Sequence, residues 1–289
     1  EHSLTPRELS FLSCHRVGKV PLLPGTCYIE FVRVVVVAVH GLKLYSLDKV
    51  AFKSIMFLDD DAQLFGSPLV RLQLDRHDGS VSISSTRDNS AWTQHAEMEL
   101  RLRAESTSPA SFDVVGTQAK CPEHVLNTTY YAATGNGYRG EFRGMAEGWG
   151  GGDTTLSRVA YEAKETRHLH LRACAFLDAC SHALLWWYDH RRRPFYAASV
   201  GSYHVNATDI SSNQDLWSVA DSEYRIFGST GDCMIHAQGW NSATFEVGWL
   251  EERRTRRHTY QVRTTHSPCC EGGGCFPCCS QGCLCLVFR

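Results

Sequence analysis

The sequence predicts an α+β fold built from two similar consecutive units. Three observations lead there. Strand-like runs with period-two alternation recur in both halves of the chain, separated by hairpin signals. Each half also holds one long apolar segment, Ile29–Val39 in the first and Ala173–Tyr188 in the second. Between the halves, residues 104–125 are small, polar and proline-containing, which reads as a linker.

In the first half, strand-like runs cover Val50–Leu58, Val70–Leu74, Val81–Ser85 and Trp92–Leu102. The last is the clearest: Ala96, Met98, Leu100 and Leu102 alternate with Glu97, Glu99, Arg101 and Arg103, the pattern of an antiparallel strand with one wet face. Asp78-Gly79 marks a hairpin between the second and third runs. In the second half, Phe142–Trp149 and Thr154–Tyr161 flank the turn Gly150-Gly-Gly-Asp153. A helix follows from about Ala173 to Tyr188, then strands near Phe195–Val205, Leu216–Ala220, Glu223–Phe227 and Cys233–Trp240. The segment Ile29–Val39 is ambiguous. Val32, Val34, Val35, Val36, Val37 and Val39 are β-branched, and on propensity alone the run reads as a buried strand.

The chemistry concentrates in two places. His15 is followed nine residues later by Pro24-Gly25, a pair suited to starting a helix. A helix beginning there would offer free N–H groups and a positive dipole end beside a possible base. Asp178 and His182 stand four apart in a helical, almost wholly apolar segment, so they share a helix face. A carboxyl there is desolvated, which favours its protonated form.

These segments resemble the signatures of the dehydratase domains of polyketide and animal-type fatty acid synthases. The first signature has a histidine, a glycine four residues on, and Pro-Gly at nine and ten. His15, Pro24 and Gly25 are in register; the glycine comes one place early, as Gly18, and Lys19 takes its usual position. The second is an aspartate with glutamine or histidine four residues later, matched by Asp178 and His182; the His-Pro that usually precedes it is Ala173-Cys174 here. The third, Tyr-Gly-Pro-x-Phe with a glycine two residues on, is matched at Tyr138, Phe142 and Gly144. The resemblance covers roughly residues 7–265.

What the resemblance implies is a double hotdog, with two antiparallel sheets each wrapped around a long central helix. The first helix would then run from about Thr26 to His40 and close at Gly41, its apolar residues covered on nearly all sides. The implied units are 1–104 and 126–250, joined by the 105–125 linker, with an exit linker at 251–265; the cysteine-rich stretch 266–289 beyond the resemblance reads from its composition as a disordered tail, with a metal site or lipidated cysteines as the other readings. The implied reaction turns a β-hydroxyacyl thioester on acyl carrier protein into an α,β-enoyl thioester and water. His15 would take the α-proton, Asp178 would protonate the leaving hydroxyl, and the Gly25 N–H would hold the thioester oxygen. His182 and Tyr138 would orient Asp178 or the hydroxyl. No metal or redox cofactor of its own is needed, since the phosphopantetheine arm of the carrier brings the substrate. The expected partners are acyl carrier protein, neighbouring synthase domains and a second copy of the chain. A product-template domain, a free-standing hydratase on acyl-coenzyme A and a silent dimerisation or docking domain are the other readings.

Composition sets the bounds. Over 289 residues, 43% apolar and 21% charged content are those of a globular protein, and a net charge of −2 argues for neither nucleic acid nor a membrane surface. The beginning at Glu1, almost at once inside a motif, suggests a piece of a longer polypeptide in the cytoplasm. Of thirteen cysteines, the six scattered before residue 268, several in apolar contexts such as Cys27, Cys174 and Cys180, read as ordinary reduced core thiols. The other seven fall after residue 268, with one CxxC pair at Cys275 and Cys278 and no second pair at zinc-site spacing. Asn127-Thr-Thr and Asn206-Ala-Thr match the glycosylation sequon by accident on this reading. His95, His168, His170 and His236 read as structural, and Arg191-Arg-Arg193 as a solvated helix end.

Overall fold

The computed structural model describes residues 1–41, 44–58, 67–87, 91–103, 112–160, 169–182, 195–206 and 215–244. All lie within a unit spanning Glu1–Val247; residues 248–289 lie outside the described residues, and the exit linker, the CxxC pair and the cysteine-rich tail fall there. The triplet Arg191–Arg193 and His168 are also outside the described residues.

The chain starts with β1 (His2–Ser3) and a short helix α1 (Pro6–Leu12). Thr5 and Glu8 close a capping box on α1, with proline in its first turn. A small hairpin, β2 (Arg16–Val17) and β3 (Val20–Pro21), leads into α2 (Gly25–His40). Then come β4 (Leu44–Phe52), β5 (Leu69–Leu74), β6 (Ser80–Thr86) and β7 (Thr93–Arg103). The second half contains α3 (Val114–Ala119), β8 (Glu123–Leu126), α4 (Asn127–Ala133), a 3₁₀ turn at Gly140–Arg143, β9 (Met145–Gly151) and β10 (Thr154–Ala160). Helix α5 (Leu169–Ser181) precedes β11 (Phe195–Val205), β12 (Asp215–Ala220), β13 (Tyr224–Gly228), β14 (Cys233–Gln238) and β15 (Asn241–Thr244).

Each half presents antiparallel strands to one long helix, the double hotdog arrangement. Among the described residues, the two sheets are joined into one of thirteen strands in the order β1-β5-β6-β7-β4-β11-β14-β13-β12-β10-β9-β8, with β15 beside β11. The seam is the β4–β11 pair, running from Ser199 opposite Ala51 to Val205 opposite Tyr45. One continuous core lies under this sheet and includes Ile29, Val32 and Val36 of α2, Phe176, Leu177 and Cys180 of α5, and Tyr45, Leu47, Tyr203 and Ile235 of the sheet.

Helix α2 settles the ambiguity of the valine run. It is helical, and the Gly41 N–H caps it on the Val37 carbonyl at 3.0 Å. It is not covered on nearly all sides, however: Val32 and Val36 are buried while Val34 and Val39 are 40% and 46% exposed. A one-sided burial at helical spacing is enough to override the weak propensity of valine. Glu30, 1% exposed, sits on the buried face and forms a bidentate pair with Arg33 at 2.6–2.7 Å.

The first expected strand, Val50–Leu58, lies earlier, at Leu44–Phe52. Its apolar residues after Phe52 instead line a segment in which Met56 accepts from the Leu23 N–H and Leu58 donates to the Pro21 carbonyl, holding the chain ahead of α2. The expected second helix runs from Leu169 rather than Ala173, and its expected extension beyond His182 lies outside the described residues. Within the stretch read as a linker, α3 and β8 are ordered elements, β8 pairing with β9. The other strands fall where the alternation places them, within a few residues.

Cys27 and Cys174 are not ordinary thiols: a disulfide joins them, tying α2 to α5. Both are fully buried where the helices pack, and two cysteines in an apolar sequence context say nothing of which neighbour each will meet. The alternation of Ala96, Met98 and Leu100 would put His95 on the wet face of its strand, which it does not occupy. A register shift at Ile83/Ser84 turns it inward, where it is 3% exposed, stacks on Tyr28 and bonds to the Ser54 carbonyl and the Ser85 hydroxyl. Its role remains structural. His236 pairs with Glu223 at 2.8 Å, and the Asn127 side-chain amide donates to the carbonyls of Arg143 and Met145, at 2.9 and 2.7 Å. Among the described residues, no helix is long and apolar enough to cross a membrane, and no three His, Cys, Asp or Glu cluster as a metal site.

Candidate functional site

His15 follows α1 directly, its N–H capping on the Leu12 carbonyl. The chain then turns back through β2 and β3, and Gly18 sits at that turn with φ +59°, a left-handed conformation that costs glycine nothing. The early glycine of the motif thus occupies the position the turn requires. The return strand brings Leu22 alongside: its N–H donates to the His15 carbonyl at 3.2 Å, and its carbonyl lies 2.9 Å from His15 Nδ1. A carbonyl only accepts, so Nδ1 carries the proton. In the neutral ring, Nε2 is then an unprotonated nitrogen, and it points at Asp178 Oδ1, 3.6 Å away.

Asp178 is on α5, one turn before the helix ends. Every residue from Ala173 to Cys180 is buried, Asp178 itself being 6% exposed. Its second oxygen, Oδ2, lies 3.3 Å from Nε2 of His182, whose side chain is fully buried. Neither of those two atoms makes a hydrogen bond, to each other or elsewhere. The carboxyl therefore stands between two imidazoles, one from each half.

Tyr138 reaches the site by a close backbone approach. The Gly137 N–H donates to the Arg16 carbonyl and the Arg139 N–H to the Cys14 carbonyl, at 3.0 and 2.9 Å. A Cβ on Gly137 would come within 2.4 Å of the Gly18 carbonyl oxygen, so only glycine permits the approach. This places the Tyr138 ring 5.4 Å from that of His15 and 4.3 Å from that of His182. Asn136 Nδ2 donates to the Tyr138 hydroxyl at 2.8 Å, which leaves its O–H to donate elsewhere. Phe142, fully buried, meets the edge of the His15 ring at 5.5 Å and packs on Phe11.

Gly25 is the first residue of α2, so its N–H belongs to the four with no partner inside the helix. A Cβ there would meet the Phe52 ring at 3.0 Å. Next to it the Thr26 hydroxyl donates to the Cys174 carbonyl of α5 at 3.3 Å, and the Cys27–Cys174 disulfide follows. The start of α2 and the helix carrying Asp178 are thus held side by side.

Electrostatics suit a neutral base. Burial pushes the His15 imidazole below its ordinary range, against the opposing pull of Asp178 and the Leu22 bond, and His182 lowers it further. Burial pushes the Tyr138 phenol far up, so it stays a neutral donor. Sequence reasoning brought together His15, Asp178, His182 and Tyr138, and the structure gathers all four. It missed Asn136 and the tyrosine pair Tyr130-Tyr131, which touch His182 from α4. A small polar turn residue and two adjacent aromatics in a short helix carry no spacing signal of their own.

Residues 1–86 match the family model of the polyketide synthase dehydratase domain. No curated protein matches the chain. Among solved structures, the dehydratase domain from the CurF module of curacin polyketide synthase superposes with a TM-score of 0.72 at 16% identity, over 84% of this chain and 92% of that one. The dehydratase domain from the CurK module gives 0.72 at 18%, over 85% and 92%. It has also been solved as two inactive variants, one with a histidine replaced by phenylalanine and one with an aspartate replaced by asparagine. A trans-acyltransferase polyketide synthase dehydratase domain from Brevibacillus brevis gives 0.69 at 16%, over 85% and 93%. At such identities the superpositions show the fold, which is the double hotdog. The chain is similar to polyketide synthase dehydratase domains along most of its length.

Proposed function

We propose that the chain removes water from a β-hydroxyacyl thioester carried on the phosphopantetheine arm of an acyl carrier protein, leaving an α,β-enoyl thioester. The observation that carries this reading is the pair His15 Nε2 and Asp178 Oδ1, an unprotonated nitrogen and a buried carboxyl 3.6 Å apart. The α-hydrogen and the β-hydroxyl of the substrate are separated by one carbon–carbon bond, so a base and an acid that close serve both. His15 Nε2 takes the α-proton, and its electron pair forms the double bond as the C–O bond breaks. Asp178, in its acid form, gives its proton to the departing hydroxyl, which leaves as water. The proton taken by His15 then returns to the Asp178 carboxylate, closing the cycle.

As the α-proton leaves, charge moves onto the thioester oxygen. The Gly25 N–H at the positive end of α2 supports a donor role there. Tyr138 supplies an O–H toward the hydroxyl or Asp178, and His182 braces the far carboxyl oxygen. The CurK variants described as inactive have lost a histidine and an aspartate, the residue types assigned here to base and acid. The family match also supports acyl carrier protein and neighbouring synthase domains as partners.

The test is mass spectrometry of a short β-hydroxyacyl group on a carrier protein, scoring loss of one water. Wild type, His15→Ala and Asp178→Asn are run together, with circular dichroism to show that each is folded. We expect loss by wild type and at least about a thousandfold less by either variant. A folded wild type that leaves the hydroxyacyl group intact at every chain length would sink the reading and make a poly-β-keto chain the next substrate.

A further inference from the structure

The helix α4 carries two adjacent tyrosines, and both end on His182. The Tyr130 hydroxyl donates to the His182 carbonyl at 3.4 Å and its ring stacks on the imidazole. The Tyr131 hydroxyl lies 2.9 Å from His182 Nδ1. It also accepts from the Met145 N–H at 3.2 Å and has the Phe142 carbonyl at 3.4 Å. A phenol has one proton to give, and the Met145 N–H already uses one of its lone pairs. The shorter of the two contacts open to that proton is His182 Nδ1.

We infer that Tyr131 is a positioning residue: it donates to His182 Nδ1, holds His182 in the tautomer with the proton on Nε2, and so fixes which oxygen of Asp178 is the acid. With Nδ1 taken as an acceptor, a neutral His182 presents Nε2–H to Asp178 Oδ2, 3.3 Å away. That N–H makes no hydrogen bond to Oδ2 as the two stand, but a proton on Oδ2 would face it head-on, so the carboxyl proton is left on Oδ1, the oxygen that faces His15. The two histidines of the site hold opposite tautomers. His15 donates from Nδ1 to a carbonyl and leaves Nε2 bare, while His182 accepts at Nδ1 and carries its proton on Nε2. The tautomer of His182 stands on the hydrogen bonds alone; its consequence for the acid rests on the dehydratase reading.

Two readouts separate those parts. Nitrogen-15 NMR of histidine-labelled protein reports each tautomer without any substrate. Wild type should show His15 protonated on Nδ1 and His182 on Nε2, and Tyr131→Phe should shift His182 toward a mixture while leaving His15 unchanged. His182 protonated on Nδ1 in wild type would overturn the inference, whether or not the variant folds and whether or not dehydration is seen. In the dehydration assay, Tyr131→Phe should lower kcat about tenfold, the loss for one buried hydrogen bond, with KM little changed. The same substitution in a His182→Gln background should cost almost nothing, because a side-chain amide presents its N–H without a tautomer to fix. An equal loss in both backgrounds would mean that Tyr131 only packs, and would overturn the positioning role.

Discussion

His15 Nε2 and Asp178 Oδ1 face each other at 3.6 Å from opposite halves of the molecule. Neither half holds both groups: His15 belongs to the turn before α2, Asp178 to α5, and the backbone contact of residues 137–139 with 14–18 brings in Tyr138. A pairing across halves makes the site sensitive to whatever holds α2 and α5 together.

The pH behaviour of His15 comes first. Its folded pKa lies below the ordinary value of 6.5, with burial as the main cause. Between the two values the unfolded chain binds a proton that the native ring does not. This contribution to stability is therefore fully present above pH 6.5 and is lost as pH falls from there through the folded pKa, at up to about 1.4 kcal/mol per pH unit. Urea unfolding at pH 7.5 and 5.5 should show a smaller drop in His15→Phe than in wild type. Asp178 opposes the shift, so an NMR titration of His15 in Asp178→Asn should give a still lower value than in wild type.

The pair Glu30–Arg33 lies on the buried face of α2. Arg33→Ala leaves a carboxylate in the core and should destabilise the protein by about 3–5 kcal/mol. Replacing both residues with methionine should cost much less, since no charge is left uncompensated. Equal losses in chemical denaturation for the single and double variants would contradict this account.

Cys27–Cys174 links positions 147 apart in the chain, one on each central helix. Its removal should cost about 2–5 kcal/mol. Intact-mass measurement of the folded protein, before and after reduction under denaturing conditions, should show a gain of two hydrogens at this pair. The melting temperature of Cys174→Ala should fall below that of the oxidised wild type and should not respond to added reductant.

The end of α5 is held by a buried hydroxyl pair. Ser218 on β12 donates to the Cys180 carbonyl at 2.9 Å, and the Ser157 hydroxyl lies 2.7 Å from Ser218 Oγ. Both serines are fully buried. Ser218→Ala strands the carbonyl and the Ser157 hydroxyl and should cost about 1–3 kcal/mol in thermal or urea unfolding, whereas Ser202→Ala on β11, half-buried and with its hydroxyl 3.5 Å from Gln238 Oε1, should be nearly neutral.

The sequence by itself determined the α+β class, most strand positions and the four side chains that the fold gathers, His15, Asp178, His182 and Tyr138. These are local signals: alternation has a period of two, turns demand glycine, and a carboxyl four residues from an imidazole shares a helix face wherever that helix packs. The tertiary structure decided what depends on partners distant in the chain. The valines of α2 became helical because Val32 and Val36 found a core to enter, a choice their propensity opposed. Cys27 and Cys174 became a disulfide because α2 and α5 pack face to face, and His95 turned inward because a register shift carried it there. Tyr131 joined the site for the same reason: a side chain's role is set by the groups it meets, and its partner His182 lies on another element, far along the chain.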